Sequence, residues 1–577
     1  MFDPKQILIK YWGHTHFRPL QEEIIQSALG GKDTLALLPT AGGKSICFQI
    51  PSLIQDGICI VISPLIALMK DQVQHLKSKG IKSVAITSVL SKDEVDVALG
   101  NCIYGNYKFL YLSPERLQSK MVQDRIRQMN VNLITVDEAH CIAEWGYDFR
   151  PSYLHIAKIR EVIPDAPILA LTATATSDII DDIQEKLLFK EKHLLQSSFV
   201  RKNLSYVVIN VEDKKTKLLK ILNHFKSSAI VYASSRKETK EITIFLRKNS
   251  ISSDYYHGGL DMKIRNQKQE RWTDGQIRVM VATNAFGMGI DKNNVRVVVH
   301  MNTPTSLEAY FQEAGRTGRD GKLAYAILIS NKRDRINLSK FILSQFPNVQ
   351  EIKECYQKIA DYFHIPVDTA EGKSFEFDIN DFCERYNLKI YKTYNILKYL
   401  EKEEFIKLTD SIHSPSRLHF TVDNSELYRF QVANMHYDSF IKLLLRSYSG
   451  LFENYVIINE QTLASRYNST PMKVLDMLEK LQQLEILKYV PRTNTPKLIF
   501  IKNRAESSTI RISEEKLENR KQLKVTKMES VITYVENNTV CRTQQLLSYF
   551  GEKNNFKCGK CDVCIERKKI DLSDLDF

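Results

Sequence analysis

Three clusters in this 577-residue chain have the residue types and spacing to do chemistry. The first is Pro39-Thr40-Ala41-Gly42-Gly43-Lys44-Ser45. Two glycines followed by lysine and a hydroxyl supply the parts of a phosphate-binding loop: backbone N–H groups that can face phosphate oxygens, an ammonium for the terminal phosphates and a hydroxyl for Mg²⁺. Leu38 stands where the strict pattern has glycine, so on this loop alone a flexible turn is the competing reading. The second cluster is Asp137-Glu138, directly after the apolar run Asn132 to Val136. One carboxylate of such a pair can hold Mg²⁺ while its neighbour positions and deprotonates an attacking water. The third is Cys541, Cys558, Cys561 and Cys564, spaced C-x16-C-x2-C-x2-C. Four thiolates so spaced make a closed tetrahedral Zn²⁺ site, structural because no ligand position stays open. The other six of the ten cysteines, Cys47, Cys59, Cys102, Cys141, Cys355 and Cys383, are scattered, mostly beside apolar residues, and read as core thiols.

The elements that must hold these clusters follow from periodicity. Thr34 to Leu38 is a short apolar run and Ile46 to Ile50 opens a helix-like stretch, which puts the glycine loop between strand and helix. Up to about residue 200, runs such as GICIVIS, KFLYLS, NLITV and PILALTAT alternate with longer polar stretches, the rhythm of a parallel sheet covered by helices. The rhythm restarts at SSAIVYAS and continues through IRVMVATNAF, VRVVVHMN and AYAILIS, with FVRKNLSYVVINV read as the connection. Each run ends in a polar cluster, and in sheets of this kind ligands gather outside the carboxyl ends of the strands. The second half adds Arg316 and Arg319, three apart, on one helix face or in a tight turn, where a guanidinium could reach across to a transferring phosphoryl group.

The ordered set FRPLQ, PTAGGKS, SPLIALMKDQ, LSPERL, DEAH, TATAT, ATNAFGMGIDK and QEAGRTGRDG resembles the superfamily 2 helicases, and DEAHCIAEWGYDFRPSY resembles the RecQ family of DNA helicases. The resemblance covers roughly residues 1 to 340 and the C-terminus. It implies two tandem RecA-like α/β domains that use ATP and Mg²⁺. In them His14, Arg18 and Gln21 would meet the adenine. Thr40, Gly42, Gly43, Lys44 and Ser45 would cradle the phosphates, Ser45 and Asp137 would hold Mg²⁺, Glu138 would be the catalytic base, Asp291 would join the nucleotide contacts, and Arg319, with Arg316 beside it, would be the arginine finger. It also implies that Ala143 to Pro151 is an aromatic-rich loop coupling single-strand binding to hydrolysis, with Trp145, Phe149 and Arg150 as DNA contacts; an exposed Trp/Phe/Arg loop can stack on bases of any sequence. The chain departs from the family at Ala41, usually glycine, at His14, usually aromatic, and at Tyr147, usually histidine. Leu38 is no objection within the resemblance, whereas Ala41 adds a Cβ inside the loop.

Residues from about 350 to 505 carry a weak internal repeat: INDFCERYN then ILKYLEKEEFIKL, and QTLASRYN then MLEKLQQLEILKYV, with Tyr386 and Tyr467 at an offset of 467 − 386 = 81. Each copy reads as helix, turn, amphipathic helix and two strands around a turn, the pattern of paired winged-helix modules. Either turn, near Pro415 or near Asn494, could be a strand-separating hairpin. In the family the zinc module usually follows the ATPase core directly; here it comes last, after a polar stretch running into a helix. The expected domains are therefore 1–200 and 201–345 for the RecA-like pair, 350–425 and 435–505 for winged-helix-like modules, and 515–577 for a small helical zinc module.

Composition agrees. A formal charge of +13 and a pI near 9.0 suit a polyanionic partner. No apolar run approaches a membrane span and the N-terminus lacks a signal-peptide plan, so a cytoplasmic protein is expected. The reading is a monomeric ATP-driven motor on single-stranded and forked duplex DNA, 3′ to 5′ by resemblance, in repair or recombination. A translocase that remodels or anneals, and a DNA-binding scaffold switched by ATP, fit the same residues.

Overall fold

The computed structural model describes residues 3–39, 42–87, 90, 92–143, 151–287, 292–408, 416–452, 454–491, 496–552 and 557–567. They form two compact units: residues 1–87, 102–349 and 511–577, and residues 88–101 with 350–510.

The first unit is built on two parallel sheets. Strands β1 (Thr34–Leu37), β2 (Ile58–Ile62), β3 (Ser83–Ile86), β4 (Phe109–Leu112), β5 (Val131–Asp137), β6 (Ile168–Thr172) and β7 (Leu194–Gln196) lie in the order β3-β4-β2-β5-β6-β1-β7. The sequences ICIVI, FLYL and ILALT are buried along their whole length, as strands covered by helices on both faces must be. Register explains why the chemistry converges. Leu37 pairs with Thr172 and Asp137 with Leu171, so the glycine loop, the acidic pair and the TATAT stretch leave the sheet at one edge, side by side.

The second sheet contains β8 (Leu204–Asn210), β9 (Ala229–Tyr232), β10 (Ser253–Tyr256), β11 (Val279–Ala282), β12 (Val297–His300) and β13 (Ala324–Ser330), in the order β10-β11-β9-β12-β13-β8. The segment expected to be wholly connection is only partly so: Leu204 to Asn210 pairs with Ala324 to Ser330 as an edge strand, leaving 197–203 between the sheets. β3, β7 and β10 were not foreseen, because SVAI, LLQ and SDYY are too short or too polar to stand out.

The cysteine segment belongs to this same unit although it ends the chain. Helix Glu514–Glu536 packs Met528 against Leu338 and Ile342 of helix Lys332–Leu343, and Tyr534 lies 5.5 Å from the Tyr310 ring. Ser205 of β8 donates to the Lys560 carbonyl at 2.7 Å. The cysteines thus sit on the second sheet, and residues 350–510 are an insertion between two helices that touch.

In the second unit the strand pairing departs from expectation. The helix pair recurs as foreseen, Ile379–Arg385 with Ile390–Lys402 and Glu460–Arg466 with Pro471–Gln483. The strands do not form two hairpins. β15 (Ile406–Leu408) pairs with β19 (Lys497–Phe500), which also pairs with β14 (Ser374–Glu376); β16 (Arg417–Phe420) pairs with β18 (Leu487–Val490) and β17 (Val456–Ile457). Both strands expected of each hairpin therefore separate. The second module closes on itself within 416–490 and is nested between β15 and β19 of the first, rather than following it at 435–505. Four short strands of similar pattern allow either pairing, and only the shared core around Leu418, Phe440, Leu463 and Leu478 selects this one. Segment 88–101 joins this unit through Glu94, whose Oε1 lies 3.0 Å from Arg417 Nε, and Asp93, 2.6 Å from Lys488 Nζ.

Candidate nucleotide site and cysteine cluster

The glycine loop is folded by its own residues. Gly43 caps helix Lys44–Ile54 with φ +75°, and a Cβ there would collide with Gln21 Nε2. Gln21 is almost fully buried and donates to the carbonyls of Gly42 and Gly43, both at 3.1 Å, while accepting from Arg18 N at 2.9 Å. The glutamine expected to meet adenine is thus also a strut beneath the loop.

Lys44 reaches across to the acidic pair, its Nζ 3.2 Å from Glu138 Oε1. Burial pulls the lysine pKa down, but Glu138 and Asp137 outweigh it and the net shift is upward. The two carboxylates are pushed apart. Burial raises Asp137 to about 6, with Lys44 opposing and Glu138 adding. Burial also acts to raise Glu138, yet Lys44, His140 and Arg316 together hold it below the ordinary glutamate range. Adjacent carboxyls with divergent pKa values can take different roles. Glu138 sits at φ +48°, a left-handed conformation that turns the chain sharply after β5. His140 Nδ1 lies 3.4 Å from Glu138 Oε2 and 2.9 Å from Thr172 Oγ1, linking the acidic pair to the TATAT stretch.

A cavity of about 860 Å³ is lined by Lys44, Ser45, Asp137 and Glu138 from the first sheet and by Arg316 and Arg319 from the second, and His14, Arg18, Gln21 and Gly43 also border it. Its size falls within the range of small-ligand sites. Arg316 and Arg319 lie in a turn after helix Leu307–Ala314 rather than on a helix face. Arg316 is buried, with Nη1 on the Gly287 carbonyl. A side chain at Gly287 would strike that guanidinium. One contributor was missed: Gln72 Nε2 lies 3.3 Å from Ser45 Oγ and is itself held by Tyr111 Oη at 2.8 Å. Its signal was available, since Gln72 ends the quoted SPLIALMKDQ stretch. Thr40, Ala41, Trp145, Tyr147, Phe149, Arg150 and Asp291 lie outside the described residues, as do Pro415 and Asn494.

The four cysteines converge as their spacing requires. Their Sγ atoms all lie within 4.8 Å of one another, and Cys561 Sγ is 3.8 Å from Cys541 Sγ. Four sulfurs about 2.3 Å from a central Zn²⁺ would sit about 3.8 Å apart, so the cluster fits the ion. Backbone N–H groups of Cys558, Cys561 and Cys564 point at the sulfurs of Cys541, Cys558 and Cys561 at 3.3 to 3.4 Å, which favours thiolates. Arg542, 1% exposed, forks onto Asp562 at 2.7 to 3.1 Å and donates to the Asn537 carbonyl at 3.0 Å, tying the first cysteine's helix to the last pair. The remaining six cysteines are buried, and burial pushes Cys47, Cys102 and Cys355 up to about 12 and Cys59 to about 11, as inert core thiols.

Two parallel sheets sharing a cavity between a phosphate-type loop and paired arginines define the core of a superfamily 2 helicase. Sequence profiles of DEAD/DEAH box helicase, Helicase conserved C-terminal domain, RecQ helicase winged-helix domain of Bacteroidota, and RecQ zinc-binding match residues 18–183, 213–321, 418–491 and 500–565. The chain is 40% identical over 366 residues to the ATP-dependent DNA helicase RecQ of Bacillus subtilis, covering 62% of each, and 40% identical over 355 residues to the probable ATP-dependent DNA helicase RecS of that organism, covering 61% of this chain and 71% of that protein. The fold is shared with the crystal structure of the DUF1998 helicase MrfA bound to DNA, with a TM-score of 0.51, 19% identity and coverage of 70% of this chain and 61% of that one. The chain belongs to the RecQ family. It spans just under two thirds of the length of the B. subtilis RecQ. The winged-helix match at 418–491 coincides with the nested module. Among the described residues no helix is long and apolar enough to cross a membrane.

Proposed function

We propose that the protein is an ATP-dependent DNA helicase that translocates on single-stranded DNA, 3′ to 5′, and unwinds forked duplex as a monomer in repair or recombination. The observation that carries this reading is the single cavity bounded by Lys44 and Glu138 on one side and by Arg316 and Arg319 on the other. Hydrolysis can then be sensed by both sheets at once, which is what a motor needs.

Lys44, Ser45 and the glycine loop bind the phosphates, with Ser45 and Asp137 placed to hold Mg²⁺, which supplies charge neutralisation on the phosphate oxygens when bound. Glu138 orients and deprotonates the attacking water. Burial acts to raise its pKa, but Lys44, with His140 and Arg316, outweighs burial and suppresses its basicity. A triphosphate competes for that ammonium, so substrate binding itself frees Glu138 to accept a proton. Arg319 and Arg316 stabilise charge on the transferring phosphoryl group. Cys541, Cys558, Cys561 and Cys564 would hold Zn²⁺, which would supply a structural cross-link between the segments that carry them. Trp145, Phe149 and Arg150 are proposed to stack on and pair with single-stranded DNA.

The decisive experiment is Glu138→Gln in an ATPase assay with and without single-stranded DNA, with nucleotide binding measured in parallel. Turnover should fall at least about 100-fold with binding retained, the loss typical of a general base. Strand-independent wild-type turnover would instead favour the ATP-switched scaffold, and stimulated turnover without fork unwinding the remodelling translocase.

A further inference from the structure

The connector 197–203 is bonded on both sides. Arg201 Nη2 donates to the carbonyls of Thr317 at 3.0 Å and Gly318 at 3.1 Å, and Nη1 to that of Gly315 at 3.4 Å. Asn203 Nδ2 donates to Gly318 at 2.7 Å and to the Lys322 carbonyl at 2.9 Å. These carbonyls belong to the turn that carries Arg316 and Arg319. Gly318 has φ +59°, and a Cβ there would stand 2.6 Å from Asn203 Nδ2, so the turn is closed directly onto the connector.

The opposite side of the connector is anchored to the segment that follows helix Arg542–Tyr549. Glu552 accepts from Ser198 Oγ at 2.6 Å and from Phe199 N at 3.0 Å. The Phe199 ring lies 5.0 Å from Phe550 and 5.9 Å from Phe311, and Phe311 is on the helix leading into the arginine turn. A short connector is thus clamped at one end and grips a catalytic-type turn at the other.

We propose that Arg201 is a positioning residue for ATP turnover: it fixes the backbone of 315–318 so that Arg316 and Arg319 face the cavity. A planar guanidinium can serve three carbonyls at once in a fixed geometry, which a lysine ammonium cannot. An irregular turn has no ladder to satisfy its carbonyls, so these donors set its shape. The proposal rests on the function given above, since that reading assigns the two arginines to the phosphoryl group.

Its test compares Arg201→Gln, Arg201→Lys and Asn203→Ala in full-length protein for kcat and KM of single-strand-stimulated ATP hydrolysis, with fluorescent-ADP binding and thermal melting alongside. Arg201→Gln should lower kcat roughly 10- to 100-fold, the penalty of a misplaced catalytic group. ADP binding should change by less than about 3-fold, because Lys44 and its loop are untouched. Arg201→Lys should recover part of kcat, and Asn203→Ala, which keeps the guanidinium, should lose about 3- to 10-fold by the same reasoning. Wild-type kcat in Arg201→Gln overturns the proposal, as does parallel loss of kcat and ADP binding. If Arg201→Gln does not fold, Asn203→Ala decides alone, and unchanged kcat there overturns it. Absence of stimulated hydrolysis in the wild type would remove the function itself, a separate outcome from failure of Arg201.

Discussion

Asp137 and Glu138 adjoin in sequence, yet burial and Lys44 drive them in opposite directions, and a pH dependence follows. With burial raising Asp137 to about 6, the folded protein takes up a proton there that the unfolded chain takes up only near the ordinary aspartate value of 3.8. Stability from this group is therefore present below that window and declines as pH rises through it, because ionised Asp137 is penalised in the fold. Under the proposed function activity runs the other way, since Asp137 would hold Mg²⁺ as the carboxylate. Turnover should drop as pH falls below about 6, and the acid limb should move to lower pH as Mg²⁺ is raised, because cation and proton compete for one site. An acid limb independent of Mg²⁺ would separate Asp137 from the metal. In the loop, Gly43→Ala should abolish nucleotide binding, since the added Cβ meets Gln21 and the φ of +75° disfavours a side chain. Ala41→Gly should keep or raise ATPase activity, because it removes a Cβ from a loop proposed to bind phosphates. At this scale much was legible in the sequence: motif spacing singled out Lys44, Asp137, Glu138 and both arginines, which the fold brings to the border of one cavity. It missed Gln72, Arg201 and Asn203, whose roles depend on tertiary neighbours that spacing does not encode.

Helices and strands show where pattern reading stops. The parallel sheets were readable because buried strands such as ICIVI are apolar along their whole length. The exchange of partners among β15, β16, β18 and β19 was not, because antiparallel partners are chosen by the core they share rather than by the turn between neighbours. In the cysteine segment the four ligands were plain from spacing, while the Arg542–Asp562 pair beside them was not. That pair is nearly fully buried, so removing one partner strands the other. Asp562→Ala should cost about 3–5 kcal/mol locally, the usual penalty for an uncompensated buried charge. The measurements are the melting temperature and the rate of zinc release to a chelator, both compared with Cys561→Ser. Wild-type zinc retention and melting in Asp562→Ala would show that the cysteines hold the segment unaided.

On the scale of the whole molecule, chain order and spatial order disagree, and the disagreement can be tested. The cavity, the connector 197–203 and the cysteines all lie in the first unit, although residues 350–510 interrupt it in sequence. Helices Lys332–Leu343 and Glu514–Glu536, which flank the insertion, pack directly through Leu338, Ile342 and Met528, and Lys524 Nζ donates to Gln345 Oε1 at 2.6 Å. Lys527, close to Glu308 at 2.9 Å, ties the second of these helices to the one before the arginine turn. None of these contacts involves 350–510. A variant in which a flexible glycine-serine linker replaces those residues should therefore fold, retain stoichiometric zinc and, under the proposed function, hydrolyse ATP on single-stranded DNA within about 10-fold of the full chain, since the groups proposed to act in the transition state are all kept. The nested modules would then be needed for duplex rather than for turnover, and fork unwinding should fall further than hydrolysis does. The deletion exposes segment 88–101, where Glu94 and Asp93 lose Arg417 and Lys488, and a charged surface there is tolerable in water. Loss of zinc or of nucleotide binding together with the insertion would mean that the first unit is not autonomous, and unwinding that survived intact would detach the winged helices from strand separation.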